Sequence, residues 1–385
     1  MGPTAPWLDP DLLPEASLGG DWGVHWQGES HPLSLDAILA SLRREDAKDV
    51  APIRWVEGDG ASRVRPIQEV PALRPILAES HEKAYDQALA SEGRATLLLG
   101  AVCAVLLAVP LLRSGIFLPA IFFLQSLAGY VEARRARRML REDPDRFFQQ
   151  RALEARYALW LASSRPRERW RIYAFALAWV LLFLIQVFVG MDDAVARAAL
   201  VKPRVLAGEP WRLLTGTMLH GNLMHIFMNV SAWLSLAPLV ERSASRHLLP
   251  LAWLLSALGG SLASLLLLPQ ATSVGASGGL MGLLGFLAVM GWRRRALLPP
   301  DLGRSVLRSI GLMAVFGALA WAVIDNAGHG GGLLTGALLG AWVFRDPEGG
   351  LPVPDSPALR VAGWAGLMAC LALAAFTGCK LLGLP

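Results

Sequence analysis

Residues 274–282, "VGASGGLMG", place one serine among four glycines at the start of an apolar run that ends at "WRRR", residues 292–295. The apolar part, residues 277–291, has 15 residues. A helix of that length measures about 22 Å, less than the roughly 30 Å of a bilayer's hydrocarbon core. The loop before it must therefore enter the bilayer, which irregular backbone does only where protein or a water-filled cavity surrounds it. We predict a short membrane helix with Ser277 at its top, in a hydrated pocket below the outer surface.

The composition is that of a membrane protein. Of the 385 residues, 54% are hydrophobic and 17% are charged, whereas soluble domains carry about 25% charged residues. The apolar residues form blocks of about 15 to 22, the length that spans a bilayer. The basic residues lie between these blocks rather than in one patch, which argues against a nucleic-acid partner. The three cysteines lie in or at the end of apolar blocks, so no disulfide framework, metal site or cofactor is predicted.

The chain is predicted to have four segments. Residues 1–93 are polar and are expected to form a small soluble α+β domain, with strands at "DWGVHWQG" and "PIRWVEGDG". Residues 94–131 hold two short apolar blocks joined by "RSG", which predicts a transmembrane helical hairpin. Residues 132–171 are charged and are expected to be a cytoplasmic linker. Residues 172–385 contain seven further apolar blocks and form the main membrane domain.

The first segment resembles the GYF-type domains found at the termini of bacterial membrane proteins. The resemblance rests on its leading tryptophan, a predicted helix at "HPLSLDAIL" and the tail "RWVEGDG…PIQEVPAL". A small domain of another type, with no known ligand, is an equal alternative, so the ligand of this segment stays open. The segment has no long apolar run, and its first 42 residues hold no Lys or Arg. Neither a signal sequence nor a transit peptide is therefore expected.

Basic residues occur at every second connection between the apolar blocks, for example in "ERSASRH" (residues 241–247) and "WRRR". Because Lys and Arg are retained on the cytoplasmic side, these connections are assigned to the cytoplasm. The hairpin starts and ends on the same side, which places residues 1–93 in the cytoplasm as well. We expect an integral multi-pass protein of the bacterial plasma membrane with a cytoplasmic N-terminus.

Three polar side chains in separate apolar blocks are predicted to lie at one depth. Each precedes the cytoplasmic arginine of its own helix by 16 or 17 residues; the pairs are Ser277 with Arg293, His329 with Arg345, and His225 with Arg242. They therefore lie roughly 24 to 26 Å above the cytoplasmic charges. Asn229 is one turn deeper than His225 on the same helix face. Each alone could be a packing polar group, but four on three helices at matched depth favour a functional site.

Two glycine stripes begin beside the serine and the second histidine. Gly278 and Gly282 form one, and Gly332, Gly336 and Gly340 form the other. Small residues at four-residue spacing let helix backbones approach closely in lipid. If the two stripes face each other, the serine hydroxyl and the histidine ring come within hydrogen-bond distance.

These residue types permit nucleophilic catalysis. A serine hydroxyl attacks once a base removes its proton, and His329 is the candidate base for Ser277. The apolar spans contain no carboxylate to orient the histidine, so a dyad is predicted unless Asp325 reaches back. Unpaired N–H groups in the first turn of a helix suit an oxyanion, and His225 and Asn229 can add donors. The predicted reaction is peptide hydrolysis through an acyl-enzyme.

"HGNLMHIFMN", "GASG" and "DNAGHGGGLLTG" resemble, in order, the motifs of the rhomboid family of intramembrane serine proteases. The resemblance covers about residues 172–344. It implies an all-α polytopic fold with a rhomboid-like six-helix core, to which residues 361–379 would add a seventh helix. The hairpin and the soluble domain lie outside it.

The resemblance implies a role for each matching residue. Ser277 would be the nucleophile, His329 the base, and His225 and Asn229 would line the oxyanion site with Ser277. The residues with implied structural roles are His220, Trp211 and Arg212 of "GEPWRLLT", Glu241 and Arg242 of "VERSAS", and the glycines Gly275, Gly278, Gly332 and Gly336. The sequence departs from the family at Met281, where well-studied bacterial members have an aromatic that stacks on the histidine, and at Gly328, where Ala is common.

Two functions remain in competition. The first is an intramembrane serine endopeptidase that acts on transmembrane proteins near the outer membrane face, with substrate proteins and lipid as its partners. The second is an inactive rhomboid-like protein that binds membrane proteins; such relatives typically lose the serine or the histidine, and this chain keeps both. A transporter is disfavoured because the polar residues occupy one shallow layer. A zinc or aspartyl intramembrane protease is disfavoured because the sequence has no HExxH and no pair of intramembrane aspartates.

Overall fold

The computed structural model describes residues 5–8, 22–26, 29–32, 54–57, 63–108, 117–162, 170–346, 348–354 and 356–384. The chain divides into two compact units, one formed by Pro6–Ala162 and the other mainly by Ser163–Pro385. Helices dominate both. The predicted helix at "HPLSLDAIL" lies outside the described residues.

In its described residues, the first unit contains an antiparallel four-stranded sheet and three α-helices. The strands are β1 (Trp22–Trp26), β2 (Glu29–Pro32), β3 (Arg54–Glu57) and β4 (Arg63–Pro66), in the order β2-β1-β3-β4. The helices are α1 (Arg74–Ala108), α2 (Phe117–Glu142) and α3 (Pro144–Ala162). A core of aliphatic side chains and two phenylalanines, Phe147 and Phe148, joins the start of α1 to α2 and α3.

Helices α1 and α2 run antiparallel. A Cβ atom on Gly93 would contact the ring of Tyr130 at 3.3 Å, and one on Gly100 would contact the ring of Phe123 at 3.2 Å. The partner moves back along α2 as the position moves forward along α1, as in any antiparallel pair of helices. Residues 132–162, expected to be a linker, are helical: they continue α2 and form α3.

The second unit holds the main membrane domain. Its long helices are α4 (Trp170–Val189), α8 (Leu223–Ser243), α9 (Leu248–Leu267), α10 (Ser277–Arg293), α11 (Pro300–Leu319), α12 (Asn326–Val343) and α13 (Pro357–Leu381). Its short elements are α5 (Met191–Ala198), β5 (Leu200–Val201), α6 (Lys202–Leu206), α7 (Arg212–Thr215) and β6 (Thr272–Ser273). Six long helices, α4 and α8–α12, are followed by α13 as the seventh.

Among the described residues, six helical segments are long and apolar enough to cross a membrane, namely Arg74–Leu106, α4, α8, α9, α11 and α13. The expectation of an all-α polytopic membrane protein is confirmed. Helix α10 is not among the six because it has only 17 residues, in keeping with the short helix predicted from its apolar run.

The apolar block at residues 213–238 does not form one helix. Its first part forms α7 and a 3-10 turn, and α8 begins only at Leu223, because the Asn222 side chain accepts a hydrogen bond from the His225 N–H at 2.8 Å and caps the helix. Of the apolar residues before that cap, Met218 and Leu219 are buried and Leu213 and Leu214 are partly buried. Their hydrophobicity therefore serves loop packing rather than a membrane span.

Aromatic side chains fill the core between α4, α8 and α9. Phe175 stacks on Trp233 with ring centroids 4.9 Å apart, and Trp179 lies 5.5 Å from Trp233 and 5.6 Å from Trp253. A Cβ on Gly279 would lie 2.4 Å from the indole nitrogen of Trp253. The aromatic core thus reaches the first turn of α10, where Ser277 begins the helix.

Candidate active site

Ser277 is the first residue of α10, and a turn with a positive-φ glycine precedes it. Gly275 adopts φ = +129°, a conformation that favours glycine, and its N–H donates to the Gly216 carbonyl oxygen at 3.0 Å. A Cβ on Gly275 would lie 2.7 Å from both Cε1 and Nε2 of His225 and 3.7 Å from Ser277 Oγ. Because Gly275 has no side chain, the imidazole edge of His225 approaches the turn directly beside the serine.

His329 lies in the first turn of α12, and its Nε2 is 2.8 Å from Ser277 Oγ. The helix begins there because the Asp325 carboxylate accepts a hydrogen bond from the Gly328 N–H at 2.7 Å. Nδ1 of His329 is buried and has no hydrogen-bond partner among the described residues. The carboxylate of Asp325 instead accepts bonds from Gly328, Ser264 and Ser273. The serine and histidine therefore meet as a pair without a third, orienting carboxylate.

The two glycine stripes face each other and bring α10 against α12. A Cβ on Gly332 would lie 1.9 Å from the Gly278 carbonyl oxygen, and one on Gly336 would lie 1.8 Å from that of Gly282. Helix α9 approaches the same place, since a Cβ on Gly260 would lie 2.6 Å from the Gly328 carbonyl oxygen. This close backbone packing sets the distance between the serine and the histidine.

His225 and Asn229 lie on α8, on the other side of the serine. His225 Nδ1 accepts from the Gly221 N–H at 3.4 Å, which leaves its Nε2 edge toward Gly275. Asn229 is buried, and its side-chain amide donates to the His225 carbonyl oxygen at 3.0 Å. One of its two N–H bonds is used there. The first helical N–H bond of α10 is that of Leu280 to Ala276, so the preceding N–H groups have no intrahelical acceptor.

A pocket of about 40 Å³ opens beside the pair. Its lining includes Ser277, His329, Gly275, Asp325, Ser264 and Ser273. A cavity needs roughly 10–15 Å³ to hold one water, so this pocket has room for water next to the serine hydroxyl. Its polar lining supplies the hydrogen-bond partners that such water needs.

His220 is fully buried, and α4 holds its backbone through a side chain that the sequence argument did not single out. The His220 N–H donates to Gln186 Oε1 at 3.0 Å, and Gln186 Nε2 donates to the His220 carbonyl oxygen at 3.2 Å. The ring lies 5.3 Å from that of His225. Burial, aided by the charge of His225, lowers the pKa of His220 to about 3, so the ring is neutral at neutral pH. Gln186 is polar within an apolar block, and the depth argument used for the histidines applies to it too.

The predicted structural residues outside the pocket tie loops and helix ends together. The Arg212 guanidinium is buried and donates to the Ala199 and Ala196 carbonyl oxygens, each at 2.9 Å. The Trp211 ring lies under the ammonium of Lys380, 5.7 Å away. At the other end of the domain, Glu241 is ion-paired with Arg171 of α4 at 3.8 Å, and Arg242 follows it in the last turn of α8.

Among the remaining residues, Met281 is buried one turn after Ser277. Within the described part of the chain, no group of His, Cys, Asp and Glu residues could hold a metal ion.

The family model for the rhomboid domain matches residues 207–346. This segment of the chain is a rhomboid domain. The matched region contains every site residue described above on α8, α10 and α12.

Similar proteins include one named as a rhomboid protease and one named as an inactive rhomboid protein. The chain is 35% identical to "RHOMBOID-like protein 6, mitochondrial" of Arabidopsis thaliana over 39% of this chain and 48% of that protein. It is 34% identical to "Rhomboid protease GluP" of Bacillus subtilis (strain 168), over 42% of this chain and 32% of the relative. It is 28% identical to "Inactive rhomboid protein 1" of Papio anubis, over 39% of this chain and 17% of the relative. The chain thus spans less than half the length of each of these relatives.

Proposed function

We propose that this protein is an intramembrane serine endopeptidase that hydrolyses peptide bonds of transmembrane proteins with a Ser277–His329 dyad. The observation that carries the proposal is the 2.8 Å separation of Ser277 Oγ and His329 Nε2. A nucleophile and a base at hydrogen-bond distance, beside a pocket with room for water, are the parts that acyl transfer requires.

In the proposed reaction, His329 Nε2 takes the hydroxyl proton of Ser277 as Oγ attacks the carbonyl carbon of the scissile bond. The tetrahedral intermediate collapses, the C–N bond breaks, and His329 gives the proton to the leaving amine. A water then loses a proton to His329 as it attacks the acyl-enzyme. The bond between the acyl carbon and Ser277 Oγ breaks, His329 returns the proton to Oγ, and the carboxyl product is released. For the first step Nε2 must be unprotonated, so the neutral ring carries its proton on the buried Nδ1.

The oxyanion of the intermediate would be held by the first-turn N–H of Ser277 and by the side chains of His225 and Asn229. The position of the His225 imidazole edge at Gly275, beside the serine, supports this role. Removing one such donor lowers kcat by about 10²–10³ in serine proteases.

We further propose that the scissile bond lies near the outer membrane face and that the substrate is a membrane-spanning protein. The short α10 and the polar pocket at its outer end support this location. The alternating basic connections support a cytoplasmic N-terminus in a bacterial plasma membrane. We retain residues 1–93, 94–131, 132–171 and 172–385 as the proposed domain division, and we leave the ligand of the first segment open.

The second candidate is a rhomboid-like protein that binds membrane proteins without cleaving them, and the similarity to an inactive rhomboid protein favours it. Reconstitution in lipid with a model single-span substrate separates the two. The protease cleaves that substrate and reacts with a fluorophosphonate probe, and both activities disappear in Ser277→Ala and His329→Ala. Cleavage that survives both substitutions removes the dyad, and a wild-type protein that neither cleaves nor labels supports the binding function.

A further inference from the structure

A group of four polar residues, Lys202, Ser264, Ser273 and Asp325, lies behind the proposed dyad; we call it the charge cluster. Lys202 and Ser264 are buried, and Ser273 and Asp325 are half-buried. The Lys202 ammonium donates to Ser273 Oγ at 2.8 Å, and that hydroxyl donates to Asp325 Oδ2 at 2.6 Å. Ser264 Oγ donates to the same carboxylate oxygen. The hydroxyl of Ser273 therefore bridges a cation and an anion.

The charge cluster joins the two segments that carry the dyad. Ser273 precedes Ser277 by four residues, and Asp325 precedes His329 by four residues. The Ser273–Asp325 hydrogen bond thus repeats, four residues earlier on each segment, the contact between the serine and the histidine. Asp325 also caps α12, and its carbonyl oxygen accepts the His329 N–H at 3.0 Å.

The remaining members connect this pair of segments to the rest of the domain. Ser264 belongs to α9, and Lys202 follows β5, whose Leu200 and Val201 pair with Ser273 and Thr272 of β6. A displacement of the Asp325 carboxylate would therefore move the cap of α12 relative to the turn that delivers Ser277.

Burying the Lys202 ammonium has an unfavourable desolvation free energy. Its residue is 0% exposed, and a buried cation is destabilising unless an anion compensates it. Burial lowers the pKa of Lys202, and the charge of Asp325 raises it again. Burial alone would raise the pKa of Asp325, but hydrogen bonds from Ser264, Ser273 and Gly328, together with Lys202, leave it lowered. Removing one charge leaves the other uncompensated.

We propose that Lys202 and Asp325 are positioning residues that, through Ser273, set the distance between Ser277 and His329. The inference rests on the proposed protease function. It assigns a catalytic consequence to Lys202, which lies outside the motifs noted in the sequence, and to Asp325, whose carboxylate does not contact the His329 ring. It also separates both from buried polar groups that only stabilise the fold.

The test compares Lys202→Met, Asp325→Asn and the double variant with wild type in lipid, using a model single-span substrate. Asparagine keeps one oxygen to cap α12, and it removes the charge together with the second acceptor oxygen, which receives the two serine hydroxyls. The values of kcat are normalised to the amount of Ser277 that a fluorophosphonate probe titrates at completion. Glu241→Gln, which breaks the buried ion pair with Arg171 at the other end of the domain, is the matched control.

If the cluster positions the dyad, each single variant lowers kcat per titrated site about 10- to 100-fold, as expected for a misplacement of about 1 Å, and KM stays within about twofold. In the double variant, the fold-loss of kcat is smaller than the product of the two single fold-losses, because no unpaired charge remains. The control lowers Tm but keeps kcat per titrated site. Where a single charge variant does not fold, Ser273→Ala removes the bridge alone and lowers kcat in the same direction.

The positioning role is overturned if kcat per titrated site is unchanged in the charge variants and in Ser273→Ala while Tm falls as in the control. That result does not contradict the proposed protease function. A wild-type protein that neither cleaves nor labels removes both proposals. In that case a double-mutant cycle on Tm still measures whether Lys202 and Asp325 are coupled, so the two failures are distinguishable.

Discussion

A Cβ atom on Gly332 would lie 1.9 Å from the carbonyl oxygen of Gly278, so the backbones of α12 and α10 are in direct contact one turn below the serine–histidine pair. No side chain fits between them. Any substitution that separates the two helices also separates Ser277 from His329, which couples the packing of the domain to its proposed chemistry.

Gly332→Ala is expected to force α10 and α12 apart. Overpacking of a core typically lowers the free energy of unfolding by about 1–3 kcal/mol, and the backbone contact here leaves no flexible neighbour to yield. We expect a lowered Tm and the loss of fluorophosphonate labelling. Gly330→Ala is the control on the same helix, because a Cβ there meets nothing within 4 Å; it should keep the wild-type Tm and labelling. Equal effects of the two substitutions would falsify the packing argument.

Gly275→Ala tests the turn before the serine. Its φ of +129° disfavours any residue with a side chain, and the new methyl group would also press on the His225 ring. Cleavage should fall by at least about 100-fold, as expected when reacting groups move by about 1 Å. Gly208→Ala separates the two causes, because Gly208 has φ = +107° but no neighbour within 4 Å. A Gly208→Ala variant that loses as much activity points to general backbone strain instead of the contact with His225.

The sequence predicted those parts of the site that depend on position along a single helix. The 15 apolar residues after Ser277 indicated a short helix, and α10 starts at that serine. The two glycine stripes were visible from their four-residue spacing, because that spacing puts the glycines on one helix face. The strands β1 and β3 lie in the two stretches for which strands were predicted, the first from its alternation and the second from a strand pattern that runs into a turn.

The features that sequence reasoning missed depend on contacts between distant segments. Lys202 and Asp325 are far apart along the chain, and nothing local indicates that Ser273 bridges them. Gln186 lies within an apolar block and was not singled out, and its contact with the backbone of His220 is visible only in the structure. Residues 213–222 were included in one predicted apolar block with α8, although they form no part of that helix. Burial in a folded loop requires the same hydrophobic composition as contact with lipid.

Asn229→Ala is expected to lower kcat without raising KM. If its amide stabilises the oxyanion, the interaction is made only in the transition state, and losing one such donor costs about 10²–10³ in kcat. Fluorophosphonate labelling should slow while Tm changes little, because the one bond the amide makes goes to its own helix at His225. Ser235→Ala on the same helix is the control: its hydroxyl also bonds only the preceding turn, at the Ser231 carbonyl oxygen. A rise in KM with constant kcat would instead place Asn229 in substrate binding.

Acidification should destabilise the protein through His220. Its pKa is about 3 in the folded state and about 6.5 in an unfolded chain. Below pH 6.5 the unfolded state therefore binds a proton that the folded state does not, and stability falls as the pH drops from about 6.5 toward 3. The loss is about 1.4 kcal/mol per pH unit, or about 2 kcal/mol by pH 5. His220→Gln removes this titration. The Tm of the variant should therefore fall less steeply between pH 6.5 and 5 than the Tm of the wild type, whatever the Tm of each protein at pH 6.5. Parallel Tm profiles would mean that His220 takes up its proton equally in the folded and unfolded states, so that its pKa is not lowered by burial behind Trp179 and His225.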